Sequence, residues 1–477
     1  MRRPLATITA LVASCLAARE AAAQTPPAAK PTVTVGDFEL APEMEVRTRG
    51  EYRRNPVDMG GAGTGFYAED SWAVMERARV GLAADRGPLR AKITFQDARV
   101  WGSTPPTAIL GSDSFASTGL YEAFAEVHTT NPAPNPTYLR VGRQAVVWDG
   151  GRLLGNADFS PVARTLDAVR GHIGHKALDL EAFAAIVDTP RPIGIGFADT
   201  TGPYRGGGQV YGALASYTFD PLLKLQAYGL FRPAPGVTGS TFITDEFQLA
   251  RVLGDTWTAA LAVSGDAKGW KYGVTGALQL GTVPLTIPLD RLAYAVAGDV
   301  SRNFDGIVLS PTVKLGAAYA SGHQDASHYG QFDPLYPDVQ VYQGLLGAFA
   351  WSNIIDAHGA VSVVPTTDMN ITAEYRYARM ASAAGEWLDT YLVSAGHGST
   401  KGEELGHEID LLVSYRPWPA LTLAAGYSML ILGDAAKSMM ASPTEQRGSV
   451  NSSGTLVPPD LSHYAFLQLT LNVPAKP

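Results

Sequence analysis

Polar and apolar residues alternate with a period of two along most of the chain. Between residues 43 and 53, Glu43, Glu45, Arg47, Arg49, Glu51 and Arg53 fall on one side, and Met44, Val46, Thr48, Gly50 and Tyr52 on the other. Successive side chains of a strand point to opposite faces. The segment therefore reads as a strand with a charged face that calls for water and an apolar face ending on an aromatic ring. The same alternation returns in later segments. Trp72, Val74, Ala78, Val80 and Leu82 oppose Arg77 and Arg79, with Glu76 breaking the apolar side. Leu89, Ala91, Ile93 and Phe95 oppose Arg90, Lys92, Thr94 and Gln96. Leu178, Leu180, Ala182, Ala184 and Ile186 oppose Asp179 and Glu181, and Leu223, Leu225 and Ala227 oppose Lys224, Gln226 and Tyr228. Near the end, Ile371, Ala373, Tyr375 and Tyr377 oppose Thr372, Glu374 and Arg376, while Ile409, Leu411 and Val413 oppose Glu408, Asp410 and Ser414. No helical stripe of comparable length competes.

A soluble β-sandwich or propeller also alternates. Two features favour a membrane barrel instead. The polar side is charged in segment after segment, while the other carries small apolar residues and aromatics. The connections also alternate in length. Short turns fall at 85–88, 174–176, 220–221, 365–368 and 416–420, and long Gly-, Pro- and Ser-rich loops at 54–70, 102–119, 188–208, 322–350, 380–405 and 433–462. Short periplasmic turns and long extracellular loops mark outer-membrane barrels. The reading is an all-β, transmembrane antiparallel β-barrel. A direct count gives 19 segments, but loop lengths read from the two ends disagree by one between residues 222 and 322. Residues 244–265 are thus expected to form one long strand with a bulge. That leaves about 18 strands, an even number as bacterial barrels require, with both termini periplasmic and 464–473 closing on the first strand.

The N-terminus adds the route. Arg2 and Arg3 precede an apolar run, and Ala21-Ala22-Ala23 stands before Gln24, so residues 1–23 read as a secretion signal. Val12-Ala13-Ser14-Cys15 offers a competing lipoprotein box. Residues 24–42 read as a flexible periplasmic leader and 43–477 as a single barrel domain. Cys15 is the sole cysteine, which excludes a disulfide framework in the mature chain. A net charge of -8 argues against nucleic acid as a partner. No stretch after the signal reaches 18 apolar residues, so no transmembrane helix is expected.

Arginine is concentrated early: fourteen lie between Arg47 and Arg170, so any basic lining of a pore belongs to that part. Arg47, Arg49, Arg77, Arg79 and Arg140 fall on expected lumen faces, with Glu43, Glu45, Glu122 and Glu126 among them. Rows of Arg in a constriction favour anions. The same residues also suit cross-strand pairing worth about 0.2–1 kcal/mol each, and both roles stay open here. Residues 139–170 break the alternation. They are polar and glycine-rich, carrying Trp148, Asp149, Gly150, Gly151 and Asp158-Phe159. Such a stretch can fold into the lumen, where wall arginines and acids satisfy its backbone, because irregular backbone at membrane depth is tolerated only inside protein or water.

At these residues the chain resembles the alginate-export family. Gly142-Arg143-Gln144, Arg152-Leu153-Leu154-Gly155 and the run Arg164-Thr165-Leu166-Asp167-Ala168-Val169-Arg170 carry the likeness. Leu166 stands where the family has an aromatic. Arg77-Ala78-Arg79, Tyr121-Glu122-Ala123, Phe332-Asp333-Pro334-Leu335-Tyr336-Pro337, Gly344, Trp351-Ser352-Asn353, Gly406-His407-Glu408-Ile409-Asp410 and Gly426-Tyr427-Ser428 extend it over nearly the whole mature chain. The C-terminus departs, ending Val473-Pro474-Ala475-Lys476-Pro477 without a terminal aromatic. The resemblance implies an 18-stranded monomeric barrel in the outer membrane with an arginine-lined constriction. It also implies passive outward passage of an anionic polysaccharide, whose carboxylates match guanidinium forks, with periplasmic export partners. On that basis Arg77, Arg79, Arg143, Arg152, Arg164, Asp167 and Arg170 are expected at the constriction or in support of it, and with Arg47, Arg49 and Glu122 of the lumen faces they make the expected substrate- or pore-lining set. A general or substrate-selective uptake porin for small anionic solutes is the alternative, and an enzyme or adhesin a third.

Enzyme motifs are incomplete. His407-Glu408 is not followed by a histidine at 411, which is Leu411. Asp299, Ser301, Asn303 and Asp305 have calcium-loop spacing, but Phe304 replaces the turn glycine and Ser310 the closing Glu. No catalytic residue, cofactor or metal is expected.

Overall fold

The computed structural model describes residues 32–55, 70–102, 117–129, 136–188, 208–220, 222–234, 254–283, 288–323, 327–338, 340–392, 394–440, 449–450 and 456–474. Residues 1–23, read from sequence as a secretion signal, with Cys15 among them, and much of the long-loop sequence lie outside the described residues.

Eighteen long antiparallel strands close into a barrel. They are β1 (Phe38–Arg54), β2 (Asp70–Arg86), β3 (Leu89–Gly102), β4 (Ser117–His128), β5 (Tyr138–Gln144) and β6 (Thr165–His175). Next come β7 (Leu178–Asp188), β8 (Gln209–Asp220), β9 (Leu223–Arg232), β10 (Thr256–Ala267), β11 (Trp270–Val283) and β12 (Leu289–Asn303). The last six are β13 (Thr312–Ala320), β14 (Ile354–Thr366), β15 (Met369–Met380), β16 (Glu404–Trp418), β17 (Leu421–Leu432) and β18 (Leu461–Val473). Each pairs with its neighbour, and β18 returns to pair with β1 from Met44 opposite Val473 to Arg54 opposite His463. Closure leaves no free edge, as a bilayer demands. Among the described residues, no helix is long and apolar enough to cross a membrane.

The even count and the loop rule hold. Two-residue turns join β2 to β3, β6 to β7, β10 to β11 and β14 to β15 at the end where both termini lie. The long connections, including 145–164 and 321–353, leave odd-numbered strands at the other end. Of residues 244–265, 244–253 lie outside the described residues. Residues 256–265 belong to β10, whose pairing with both neighbours runs without a register shift, so no bulge occurs there. A bulge sits elsewhere, between β3 and β4, where Tyr121 is the extra residue between Leu120 and Glu122. The wall also starts earlier than residue 43. Glu39 pairs with Asp85, and a short Val33–Val35 strand folds back onto Phe38–Leu40, so the end of the 24–42 segment is built into the sheet.

Outward positions carry the exposed apolar residues, such as Phe95, Leu261, Leu315 and Leu467. Aromatics gather at the loop end of this face, among them Tyr52, Trp72, Trp101 and Trp257, which gives the interfacial girdle of such barrels. The buried core is inside the barrel rather than in the wall. It joins Trp148, Leu153, Leu154, Phe332, Leu335, Tyr336, Phe349 and Trp351 from two long loops to small residues of the strands. The loop 322–350, read from sequence as external, therefore folds inward. A Glu386–Leu388 and Ser394–His397 hairpin and a helix, α1 (Asp434–Met440), add Trp387, Met439 and Met440 to the same core.

Candidate functional site

The lumen is crossed by two folded-in segments, 145–164 after β5 and 327–353 after β13. They are joined to each other before they meet the wall. Leu154 bridges Tyr336 in a parallel pair, Gly155 N–H donates to the Tyr336 carbonyl at 2.8 Å and Asp338 N–H to the Gly151 carbonyl at 2.8 Å. Arg164 donates to three carbonyls, of Gly155 at 3.1 Å, Tyr336 at 2.8 Å and Pro337 at 2.9 Å. Gly151 (φ +89) has no space for a side chain, since a Cβ would overlap the Asp338 carboxylate.

The first segment is held on one wall by arginine. Arg47 donates to the carbonyls of Asp158 (2.6 Å), Phe159 (3.2 Å) and Ser160 (2.8 Å), and Arg49 to Phe159 (2.6 Å) with its guanidinium 3.9 Å above that ring. Arg77 binds Glu45 at 3.0 Å and the Asp158 carbonyl at 3.2 Å, while Arg79 reaches the Asp158 carboxylate at 3.0 Å and stacks on Tyr121 at 3.5 Å. These charge-assisted bonds take up carbonyls that would otherwise be unpaired at membrane depth. Arg47, Arg49, Arg77 and Arg79 all lie buried. They are pins beneath a loop, not a row open to solute as the pore-lining expectation had it.

The same segment reaches the far walls. Trp148 Nε1 donates to Glu181 on β7 at 2.6 Å, and its ring packs edge-on against Phe183. Asp149 accepts from Tyr228 on β9 at 3.1 Å and Thr275 on β11 at 2.7 Å. Burial pushes the Asp149 carboxyl above the usual range, and Arg152 and the two hydroxyls only partly offset that. Arg152, at the segment's turn, meets Asp299 on β12 at 3.3 Å and lies 4.0 Å over the Tyr342 ring. Asp299, read from spacing as a weak calcium position, instead binds Lys314 at 3.2 Å and His358 at 2.9 Å. The second segment takes the remaining wall. Asp333 pairs with Arg232 at 2.8 Å, and its main chain accepts from and donates to the Gln279 side-chain amide. Leu345 and Leu346 N–H groups donate to Asp410 at 2.9 Å and Glu408 at 2.8 Å, and Arg376 holds the Tyr342 carbonyl at 2.9 Å. Gly344 (φ +90) leaves room for the Glu408 carboxylate.

The other expected positions divide. Glu122 faces the lumen and binds Lys92 at 2.5 Å. Arg170 does so with Glu181 at 2.6 Å, and Arg140 with Glu126 at 2.6 Å. Arg143 and Asp167 do not line the lumen. They stand opposite each other on β5 and β6, on the same face as Val141 and Val169, which are exposed outward. Their 2.7 Å ion pair is partly exposed on that outer face. Sequence reasoning missed Asp149, Asp333, Asp338 and the carboxylates of β16 as anchors. The signal available was the density of Phe332, Leu335, Tyr336, Leu345, Leu346, Phe349 and Trp351, too apolar for a loop in water.

Solved structures share this architecture, a porin among them. The BenF-like porin from Pseudomonas fluorescens Pf-5 superposes with a TM-score of 0.58 at 9% identity, covering 92% of this chain and 99% of its own. Pseudomonas aeruginosa OccK2 (OpdF) in complex with glucuronate gives 0.55 at 10% identity, over 93% of this chain and 98% of that one. Pseudomonas aeruginosa OpdK with vanillate gives 0.52 at 14% identity, over 90% and 98%. At such identities the likeness is one of fold. No curated protein sequence matches the chain. The sequence profile described as "Alginate export" matches residues 39–449, a span that takes in β1 to β17 and both lumen segments, and on that extent this outer-membrane β-barrel belongs to the alginate export family.

Proposed function

We propose that the protein is a substrate-selective channel for small anionic solutes rather than a conduit for a polymer. The observation that carries this reading is the strut made by 145–164 and 327–353, bonded to β1–β2, β7, β9, β11–β12 and β15–β16. A polysaccharide needs an uninterrupted bore along its whole length, whereas a monomer needs only a gap beside the strut. The partly exposed basic groups of the lumen, Lys92, Arg140 and Lys314, supply the counter-charge. Each is shared with a carboxylate, so a passing anion exchanges partners instead of being trapped. Lys224 points to the same side as Tyr228, close to Asp149, and is in no ion pair among the described residues. The two related porins solved with vanillate and with glucuronate were each solved with a carboxylate.

Liposome swelling tests the proposal. Proteoliposomes are expected to swell in glucuronate and vanillate and to exclude uronate oligomers, with Lys224→Gln slowing entry of the monomers several-fold. Oligomer entry at the monomer rate would overturn it and return the family's polymer-export role to first place.

A further inference from the structure

The outward surface of the barrel is hollowed at the seam where β18 meets β1. In one outward row Gly50 lies between Val74 on β2 and Leu467 on β18, and Leu467 faces Ala425 on β17. In the next row toward the loops, Tyr52 lies between Trp72 and Ala465, and Ala465 faces Tyr427. Gly50, Ala425 and Ala465 make a low floor. Trp72, Tyr52, Tyr427 and Leu467 rise around it, enclosing an open apolar groove of about 490 Å³. A Cβ added at Gly50 would meet nothing within 4 Å. Small residues of this kind let a partner approach the backbone closely.

One further row up, about 6.6 Å along the strands, the surface turns polar. Arg54 stands opposite His463 on β18 and Asp70 on β2. Arg54 and Asp70 are both more than half exposed and only 3.9 Å apart, and His463 shares a hydrogen with the Tyr427 hydroxyl at 2.9 Å. A greasy channel one chain wide thus ends beneath an arginine and a histidine at the extracellular rim.

We propose that this groove is a binding site for a phosphate-bearing, acylated lipid of the outer leaflet. One acyl chain fills the channel over Gly50, Ala425 and Ala465, and the phosphate meets Arg54 and His463, since guanidinium is well matched to phosphate. A second copy of the chain fits the surface poorly. Two identical concavities facing each other leave a void, and a two-fold contact centred there sets Arg54 against its own counterpart.

The test uses the full-length protein purified in detergent, loaded with lipid A and read by native mass spectrometry after detergent exchange. The wild type is expected to keep one lipid A per barrel. Gly50→Phe, whose Cβ meets nothing within 4 Å and whose ring takes up groove volume, should lower occupancy on the order of tenfold. Arg54→Ala, which leaves the groove intact, should lower it several-fold and lose preference over phosphatidylcholine. Val361→Phe, on the outward face of β14, should match the wild type and control for any added aromatic. Equal retention by Gly50→Phe and wild type, or a wild-type dimer that Gly50→Phe separates, would overturn the proposal. A failure here leaves the channel reading untouched, because swelling depends on the lumen.

Discussion

Two walls of the same lumen hold the strut by opposite means. On β1–β2 the inward side chains are long and charged, and Arg47, Arg49 and Arg77 bind main-chain carbonyls of Asp158–Ser160. On β10–β13 the inward face carries eight buried alanines, Ala260, Ala262, Ala277, Ala293, Ala295, Ala297, Ala318 and Ala320, beside the polar Thr275, Gln279 and Asp299 that also reach the strut. Most of these join the same core as Phe332, Leu335, Phe349 and Trp351. The first wall reads mainly the loop's backbone, with the Asp158 carboxylate and the Phe159 ring as its side-chain contacts. The second offers mainly volume to the loop's apolar side chains, with Thr275, Gln279 and Asp299 as its polar contacts. A wall of donors fixes position, and a wall of small residues fixes fit.

The sharpest way to break this contrast is to remove the donors. Arg47→Ala combined with Arg77→Ala takes the wall donors from two carbonyls, of Asp158 and Ser160, and leaves Glu45 only Arg79 at 3.9 Å, a loss of about 3–5 kcal/mol for the buried pair alone. Residues 157–161 should detach, and planar-bilayer conductance should rise several-fold. An unchanged conductance would mean that the alanine wall holds the strut by itself. Ala297→Leu attacks the other side by overpacking, at a cost of about 1–3 kcal/mol. It should lower the thermal midpoint while leaving anion preference intact, and a loss of preference with no change in midpoint would refute the division of labour.

Asp149, which the first segment carries to β9 and β11, sharpens the comparison further. Its docked carboxyl holds a proton more tightly than a free one, so docking is favoured as pH falls toward the window just above the ordinary aspartate value of about 4 and weakens above it. Asp149→Asn keeps the oxygen that accepts from Tyr228 and Thr275 and should flatten that pH response in conductance. Asp149→Ala should cost about 1–2 kcal/mol through the two stranded hydroxyls. A wild-type conductance without pH dependence between 4 and 6 would sink the idea. The smallest effect belongs to Arg143→Ala. Breaking a partly exposed outward pair costs about 0.2–1 kcal/mol and should leave conductance and selectivity as they were. A selectivity change there would put Arg143 back in the pore.

The contrast also explains what the sequence could reveal. Charged alternation at residues 43–53 made β1 legible, because a row of Arg and Glu has only one possible side. The alanine wall was not legible, because Ala293, Tyr294, Ala295, Val296 and Ala297 are apolar on both faces and periodicity has nothing to separate. Arg143 and Asp167 were placed in the lumen by their motif, although parity sets Arg143 with Leu139 and Val141. There the period-two rule was the better guide. The inward fold of 139–170 was readable from glycine and polarity, whereas that of 327–353 required noticing that its aromatics needed cover.

The order in which the chain supplies these walls has a consequence for assembly. The partners of Asp158–Ser160 on β1 and β2 are synthesised before them, so an N-terminal third could seat its spoke while the cylinder is still a curled ribbon. The partners of Leu345 and Leu346 on β16 come more than sixty residues later. That second spoke can lock only as the hoop nears completion, which makes sealing of the seam and packing of the interior a single late event.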